Sequence, residues 1–79
     1  MGITLYALEG CPYCEDVHDA LRDGDVDYET VWVEAEHSER NEVKRVSGQR
    51  AVPVIVDEER GVTMNESANI LEYVERTLA

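Results

Sequence analysis

The chain is short of basic residues, of cysteine and of any long apolar run, and each shortage narrows what it can do. Seven Lys and Arg stand against eighteen Asp and Glu, giving a formal charge of −11 and a pI near 4.3. A surface of that sign repels phosphate backbones and anionic lipid, so neither nucleic acid nor a membrane is expected as a partner. No stretch approaches the ~18 apolar residues of a membrane span, and Met1 to Leu8 lacks the basic flank and length of a secretion signal, which predicts a cytoplasmic protein. Lys44 is the only lysine, the other bases being arginine, and carboxylates are interspersed through nearly every segment. Such charge self-repels in dilute salt and suggests a halophilic surface. Repeats, low-complexity tracts and linkers are missing too. At 79 residues, about half of a typical ~150-residue domain, the sequence predicts one domain over 1–79, expected to be monomeric.

What is present is enough for a single core, since 43% of the residues are apolar. Ile3 to Leu8 is rich in strand formers and stops at Glu9-Gly10, which predicts a buried first strand. Pro12 suits a first helical position. Cys14, Val17, Ala20 and Leu21 then recur at helical spacing up to Asp23-Gly24, predicting a helix over about 12 to 23. Asp27 to Glu34 reads as a second strand, and this strand-helix-strand order implies parallel pairing. Ser38 is the expected cap of a second helix, mostly wet, that ends at Gly48. Val54-Ile55-Val56, a polar turn and Val62-Thr63 form a hairpin. Asn65 is the expected cap of a last helix burying Ser67, Ile70, Leu71, Val74 and Leu78. The order is βαβ-α-ββα, an α/β layered fold with helices on both faces of a mixed sheet.

Both cysteines lie in Cys11-Pro12-Tyr13-Cys14, directly after a strand and opening a helix. Positions i and i+3 stand about 5–6 Å apart, within the Cα separation a disulfide tolerates, so the two sulfurs can bond reversibly. The loop so closed is too small to add much chain-entropy stability, which points to a redox switch and away from a staple. Cys11 precedes the first turn, where unpaired amide hydrogens and the positive end of the dipole favour a thiolate. Cys14 lies one turn inside. Position therefore assigns Cys11 as nucleophile and Cys14 as the thiol that resolves the mixed disulfide. Glu9, Glu15 and Asp16 surround the motif with no Lys, Arg or His adjacent, and their charge opposes thiolate formation. Zinc takes four ligands, and His18 and His37 match no finger spacing, so each is expected to be a solvated helix residue and no metal is expected.

Val52-Pro53 precedes the third strand, and residue chemistry alone leaves the isomer of that bond open. Taken together, the strand, Cys-Pro-Tyr-Cys, helix, strand, helix, Val-Pro, hairpin and helix resemble a glutaredoxin of the thioredoxin-fold superfamily over essentially the whole chain. Met64-Asn65-Glu66-Ser67, running into Ile70-Leu71-Glu72-Tyr73-Val74, is similar to the Glu-Ser helix start of glutathione-transferase N-terminal domains. The resemblance implies a four-stranded thioredoxin fold and dithiol reduction of protein disulfides or mixed disulfides. It implies electrons from glutathione or a related γ-glutamyl thiol as co-substrate, with disulfide-containing proteins as partners.

By the same likeness Val52-Pro53 is a cis-proline loop whose Val52 backbone pairs with a bound cysteinyl group. Glu66 and Ser67 hold the γ-glutamyl end, Arg50 meets a glycine carboxylate with Gln49 beside it, and Tyr13 packs beside the ligand or shields Cys14. Two positions depart from the family pattern. Leu8-Glu9 stands where a basic residue is usual, and Val62-Thr63-Met64 replaces a Gly-Gly, which leaves open a smaller γ-glutamyl thiol without glycine. Two other functions compete: an iron-sulfur cluster-binding redoxin, against which Pro12 and Tyr13 weigh, and a transferase-like N-terminal binding domain.

Overall fold

The computed structural model describes residues 2–35, 40–49 and 51–78. β1 (Ile3–Ala7) leads into α1 (Pro12–Asp23) and β2 (Tyr28–Trp32), followed by α2 (Asn41–Ser47), β3 (Val54–Asp57), β4 (Val62–Asn65) and α3 (Ser67–Tyr73), which passes into a π-helical turn at Val74–Leu78. The sheet runs β2-β1-β3-β4. β1 pairs in parallel with β2 and antiparallel with β3, and β3 pairs antiparallel with β4, so the sheet is mixed and the expected βαβ-α-ββα order holds.

Alternation along β1 divides the core. Ile3, Leu5 and Ala7 point to the face covered by α1 and α3, where they meet Cys14, Val17, Leu21, Ile55, Ile70 and Val74. Tyr6 points to the opposite face and packs with Val43 of α2 and Val54. Each fully buried aliphatic side chain contributes roughly 1.5–3 kcal/mol, which concentrates stability on the α1 and α3 face. α2 supplies one fully buried residue, Val43, in line with its mostly polar sequence.

Helix α1 has the expected bounds. Pro12 occupies its first turn, where no amide hydrogen is needed, and the Gly24 N–H donates to the Ala20 carbonyl at 3.0 Å. Gly48 closes α2 at φ 82°, a left-handed conformation favouring glycine, and its N–H meets the Lys44 carbonyl at 2.8 Å.

Three expectations need correction or limit. β2 is shorter than 27–34, although the Val33 N–H still donates to the Ala7 carbonyl at 2.9 Å. Asn65 does not cap α3: it ends β4, the cap position belongs to Glu66, and no side chain bonds back to the helix there. The hairpin pairs through Val54 with Asn65, two residues beyond the predicted Val62-Thr63, and the longer ladder consumes the predicted cap. Ser38, the expected cap of α2, lies outside the described residues, and Arg40 stands at the cap position of that helix.

Candidate functional site

β1 ends at Ala7, and the short loop after it delivers the cysteine pair to the C-terminal edge of the parallel strands. The Cys11 N–H donates to the Leu8 carbonyl at 3.2 Å, and the Cys11 carbonyl accepts from the Glu15 N–H at 3.0 Å, so Cys11 is the N-cap of α1 with its thiol free of any capping bond. Cys11 is half-buried and Cys14 fully buried, and both are reduced. Burial pushes the Cys14 thiol up to about 11, and the Cys11 sulfur adds to this by hydrogen bond and by charge. The Leu8 backbone and the positive charge of Arg40 act the other way.

The Val52–Pro53 bond is cis, as the resemblance implied. A cleft of about 320 Å³ beside it brings together Tyr13 from α1, Gln49, Val52 and Pro53 from the loop, and Glu66 and Ser67 from the start of α3. Tyr13 is 64% exposed and lines this cleft. Glu66 holds φ 73°, a left-handed conformation rare for a residue with a side chain and costing about 1–3 kcal/mol, which turns the chain sharply from β4 into α3. Asn65, freed from capping, donates from Nδ2 to Gln49 Oε1 at 2.7 Å and ties the two rims together. Arg50 lies outside the described residues. A larger depression of about 750 Å³ opens at the other end of the sheet, lined by Gly2, Asp27, Glu58 and Leu78 among others; neither depression is lined by a cysteine, and Tyr13 is the residue of the motif that reaches the smaller one. The smaller cleft is the candidate site because it alone joins the cis-proline loop to the start of α3 among the described residues.

Sequence reasoning misplaced one titratable group and missed two. His18 is not solvated but 5% exposed, its Nδ1 within 2.8 Å of the Tyr28 hydroxyl and its ring between those of Tyr28 and Trp32 at 5.7 and 5.4 Å. Burial lowers its pKa, and Nε2 is buried without a hydrogen-bond partner among the described residues. Its position four residues after Cys14, on the packed side of α1, was the available signal. His37 lies outside the described residues. Asp57, at the far end of β3, is wholly buried, and Arg40 is 4% exposed although it begins a wet helix. Among the described residues no group of three or more His, Cys, Asp or Glu is placed to hold a metal ion, and no helix is long and apolar enough to cross a membrane.

A mixed sheet with a Cys-Pro-Tyr-Cys helix start facing a cis-proline loop defines a thioredoxin-fold thiol protein of the glutaredoxin and glutathione transferase type. The chain belongs to the glutathione S-transferase N-terminal domain family, whose model matches residues 5–79. It is 34% identical over 53 residues to an uncharacterized glutaredoxin-like 8.6 kDa protein in the rubredoxin operon of Clostridium pasteurianum, covering 67% of this chain and 71% of that one. Among solved structures it is similar to a diazinon-metabolizing glutathione S-transferase of the silkworm Bombyx mori, with 29% identity and a TM-score of 0.85. It is similar also to the trimeric glutathione transferase TDR1 of Leishmania, with 25% identity and a TM-score of 0.83. These matches cover 99% and 98% of this chain but span only 39% and 17% of the transferases themselves.

Proposed function

We propose that the protein is a dithiol thiol-disulfide oxidoreductase of the glutaredoxin kind, reducing protein disulfides or mixed disulfides at the expense of a γ-glutamyl thiol such as glutathione. The observation that carries this reading is the asymmetry of the pair: Cys11 half-buried at a helix start, Cys14 buried behind it with its thiol pushed up to about 11. Cys11 sulfur attacks the substrate disulfide, one substrate sulfur leaves as a thiolate and takes a proton, and a mixed disulfide remains on Cys11. Cys14 then gives up its proton and attacks Cys11 sulfur, releasing the second substrate thiol and closing the Cys11–Cys14 disulfide. Two molecules of external thiol reopen it in turn: the first attacks Cys11 sulfur and frees Cys14 as a thiol, and the second attacks the resulting mixed disulfide, freeing Cys11 and leaving as the oxidised disulfide of the two.

In the cleft, an extended cysteinyl group would pair with the Val52 backbone as an added strand, and the Ser67 hydroxyl would meet the γ-glutamyl carboxylate while Glu66 meets its ammonium. Arg50 would meet a terminal carboxylate if the thiol carries one. The test is reduction of the oxidised protein by glutathione, by γ-glutamylcysteine and by a thioredoxin reductase, at high and low salt. Reduction by one of the two γ-glutamyl thiols supports the reading and names the donor, and equal inertness towards all three overturns it.

The family match and the strained Glu66 at the cleft favour a second reading, a glutathione-binding domain of transferase type that performs no dithiol step. Cys14→Ser separates the two: it leaves such a binder unharmed and stops reduction of protein disulfides by the dithiol enzyme, sparing only monothiol exchange.

A further inference from the structure

His18 is buried on the packed side of α1, one turn beyond Cys14, and only half of its hydrogen-bonding capacity is used. Nδ1 lies 2.8 Å from the Tyr28 hydroxyl, while Nε2 is buried with no partner among the described residues. A neutral imidazole tolerates this. One nitrogen donates and the other accepts, and the Tyr28 hydroxyl can serve Nδ1 in either tautomer. A protonated imidazole donates from both nitrogens, and its second N–H then brings positive charge to a place where no acceptor stands.

The cover over this ring is an edge strand. β2 is bonded on one side only, to β1, and none of its five residues is fully buried, whereas β1 buries four of five. Tyr28 and Trp32, at the two ends of β2, supply the rings beside His18, with centroids 5.7 and 5.4 Å away. A strand with so few buried residues opens at lower free energy than the core.

We propose that His18 is an acid-operated latch: uptake of a proton by its ring releases β2 from α1 while the rest of the fold stays closed. The latch is independent of any dithiol step and needs only the fold. On α1, the exposed Glu15 and Asp19 favour the charged ring and Arg22 opposes it, Arg22 being held by Asp19 at 2.7 Å. Cys14, on the same face, stays a neutral thiol in acid. β2 brings the Tyr28 phenol and the uncharged Trp32. Burial outweighs the two carboxylates and lowers the pKa of the ring while β2 is closed. With β2 released the burial is gone and the carboxylates remain, so the open form takes its proton near about pH 6.5. The strand set free is the one beside the cysteine loop: the Val33 N–H bonds to the Ala7 carbonyl at 2.9 Å, and the next residue, Leu8, accepts the Cys11 N–H.

The experiment is amide hydrogen exchange of the unchanged chain by NMR from about pH 7.5 to about pH 5.5, corrected for the intrinsic rate, with and without dilute urea. The Val33 amide reports β2, and the Ile55 amide, in the inner strand β3, reports the core. Val33 should exchange through an opening cheaper than that of Ile55 and nearly insensitive to urea, which marks a small exposed surface. Its protection should fall about three- to tenfold over this range, beginning near about pH 6.5 and levelling off where the His18 Cε1–H resonance titrates. In His18→Leu and His18→Phe the fall should vanish.

Exchange of Val33 at the free energy and urea dependence of Ile55 would mean that the molecule opens only as a whole, and overturns the proposal. Protection of Val33 that stays flat with pH in the unchanged chain overturns it too, as does a fall that persists in a folded His18 variant. If neither variant folds, the unchanged chain decides alone: a His18 resonance that titrates at or above about pH 6.5 leaves the proton with no preference for the open form, and the latch is disproved.

Discussion

The two ends of the sheet treat their buried polar groups in opposite ways. At the end away from the cysteines, Asp57 is wholly buried and fully answered: Tyr73 Oη donates to its Oδ2 at 2.6 Å, Arg60 Nη1 to the same oxygen at 3.0 Å, and the Arg60 N–H to Oδ1 at 3.2 Å. Burial alone would raise the Asp57 pKa, but these donors more than offset it and hold the carboxyl below its ordinary value. Tyr73, by burial and by giving its proton to that bond, is pushed up to about 12. At the cysteine end, burial raises Cys14 in the same way, but the Leu8 backbone only partly offsets it and the Cys11 sulfur helps to hold the proton on. A satisfied network ties β3 to α3 and closes the hairpin; the thiol pair keeps a proton and a bond in reserve. The difference separates groups that hold the fold from groups able to react.

Substitutions at the two ends should therefore fail in different assays. Cys11→Ser should abolish disulfide exchange in a thiol-release assay while leaving the urea midpoint within about 0.5 kcal/mol of the parent, since a half-buried thiol becomes a hydroxyl of similar size. Asp57→Ala should do the reverse: about 1–3 kcal/mol lost in urea denaturation, because the half-buried Tyr73 hydroxyl loses its acceptor and a buried group its packing, with exchange per folded molecule unchanged. Loss of exchange in a folded Asp57→Ala protein would collapse the contrast.

Acid sharpens it further. The lowered pKa of Asp57 means that its contribution is complete above about pH 4, the unfolded carboxylate range, and is lost as pH falls from there towards the native value. His18, also lowered, acts earlier: its contribution is complete above about pH 6.5 and declines as pH falls below that, because the unfolded chain takes up the proton first. Stability measured between about pH 6.5 and about pH 4.5 should then decline in the parent and less steeply in His18→Leu. The smallest effect belongs to the cleft rim. Gln49 and Asn65 share an exposed hydrogen bond, so Gln49→Ala and Asn65→Ala should each cost about 0.5–1 kcal/mol or less in stability, with non-additive effects in the double variant.

How much of this was legible in the residues depends on the range of the forces concerned. Local chemistry was readable: the proline at the start of α1, the glycine ending α2, the alternation of β1 and the cysteine pair all act within a few residues. Groups whose partners lie far along the chain were not. Asp57 read as part of a polar turn because Tyr73 is sixteen residues away, and His18 read as wet because Tyr28 and Trp32 arrive only when β2 pairs with β1. Asn65 looked like a cap by residue type, and only the pairing of β4 with β3 decided against it. The isomer of the Val52–Pro53 bond followed from the family resemblance, since residue preference alone is silent on it.

Trp32 is the chain's single tryptophan, 54% exposed and 5.4 Å from the His18 ring, on the residue paired with Ala7 just before the cysteine loop. Every photon the indole emits therefore originates next to one imidazole and a short walk along β1 from the two cysteine sulfurs. The protein carries its own optical gauge: quenching by a protonated ring would read out the state of His18, and a spectral change on thiol oxidation would read out movement of the loop, with no label attached.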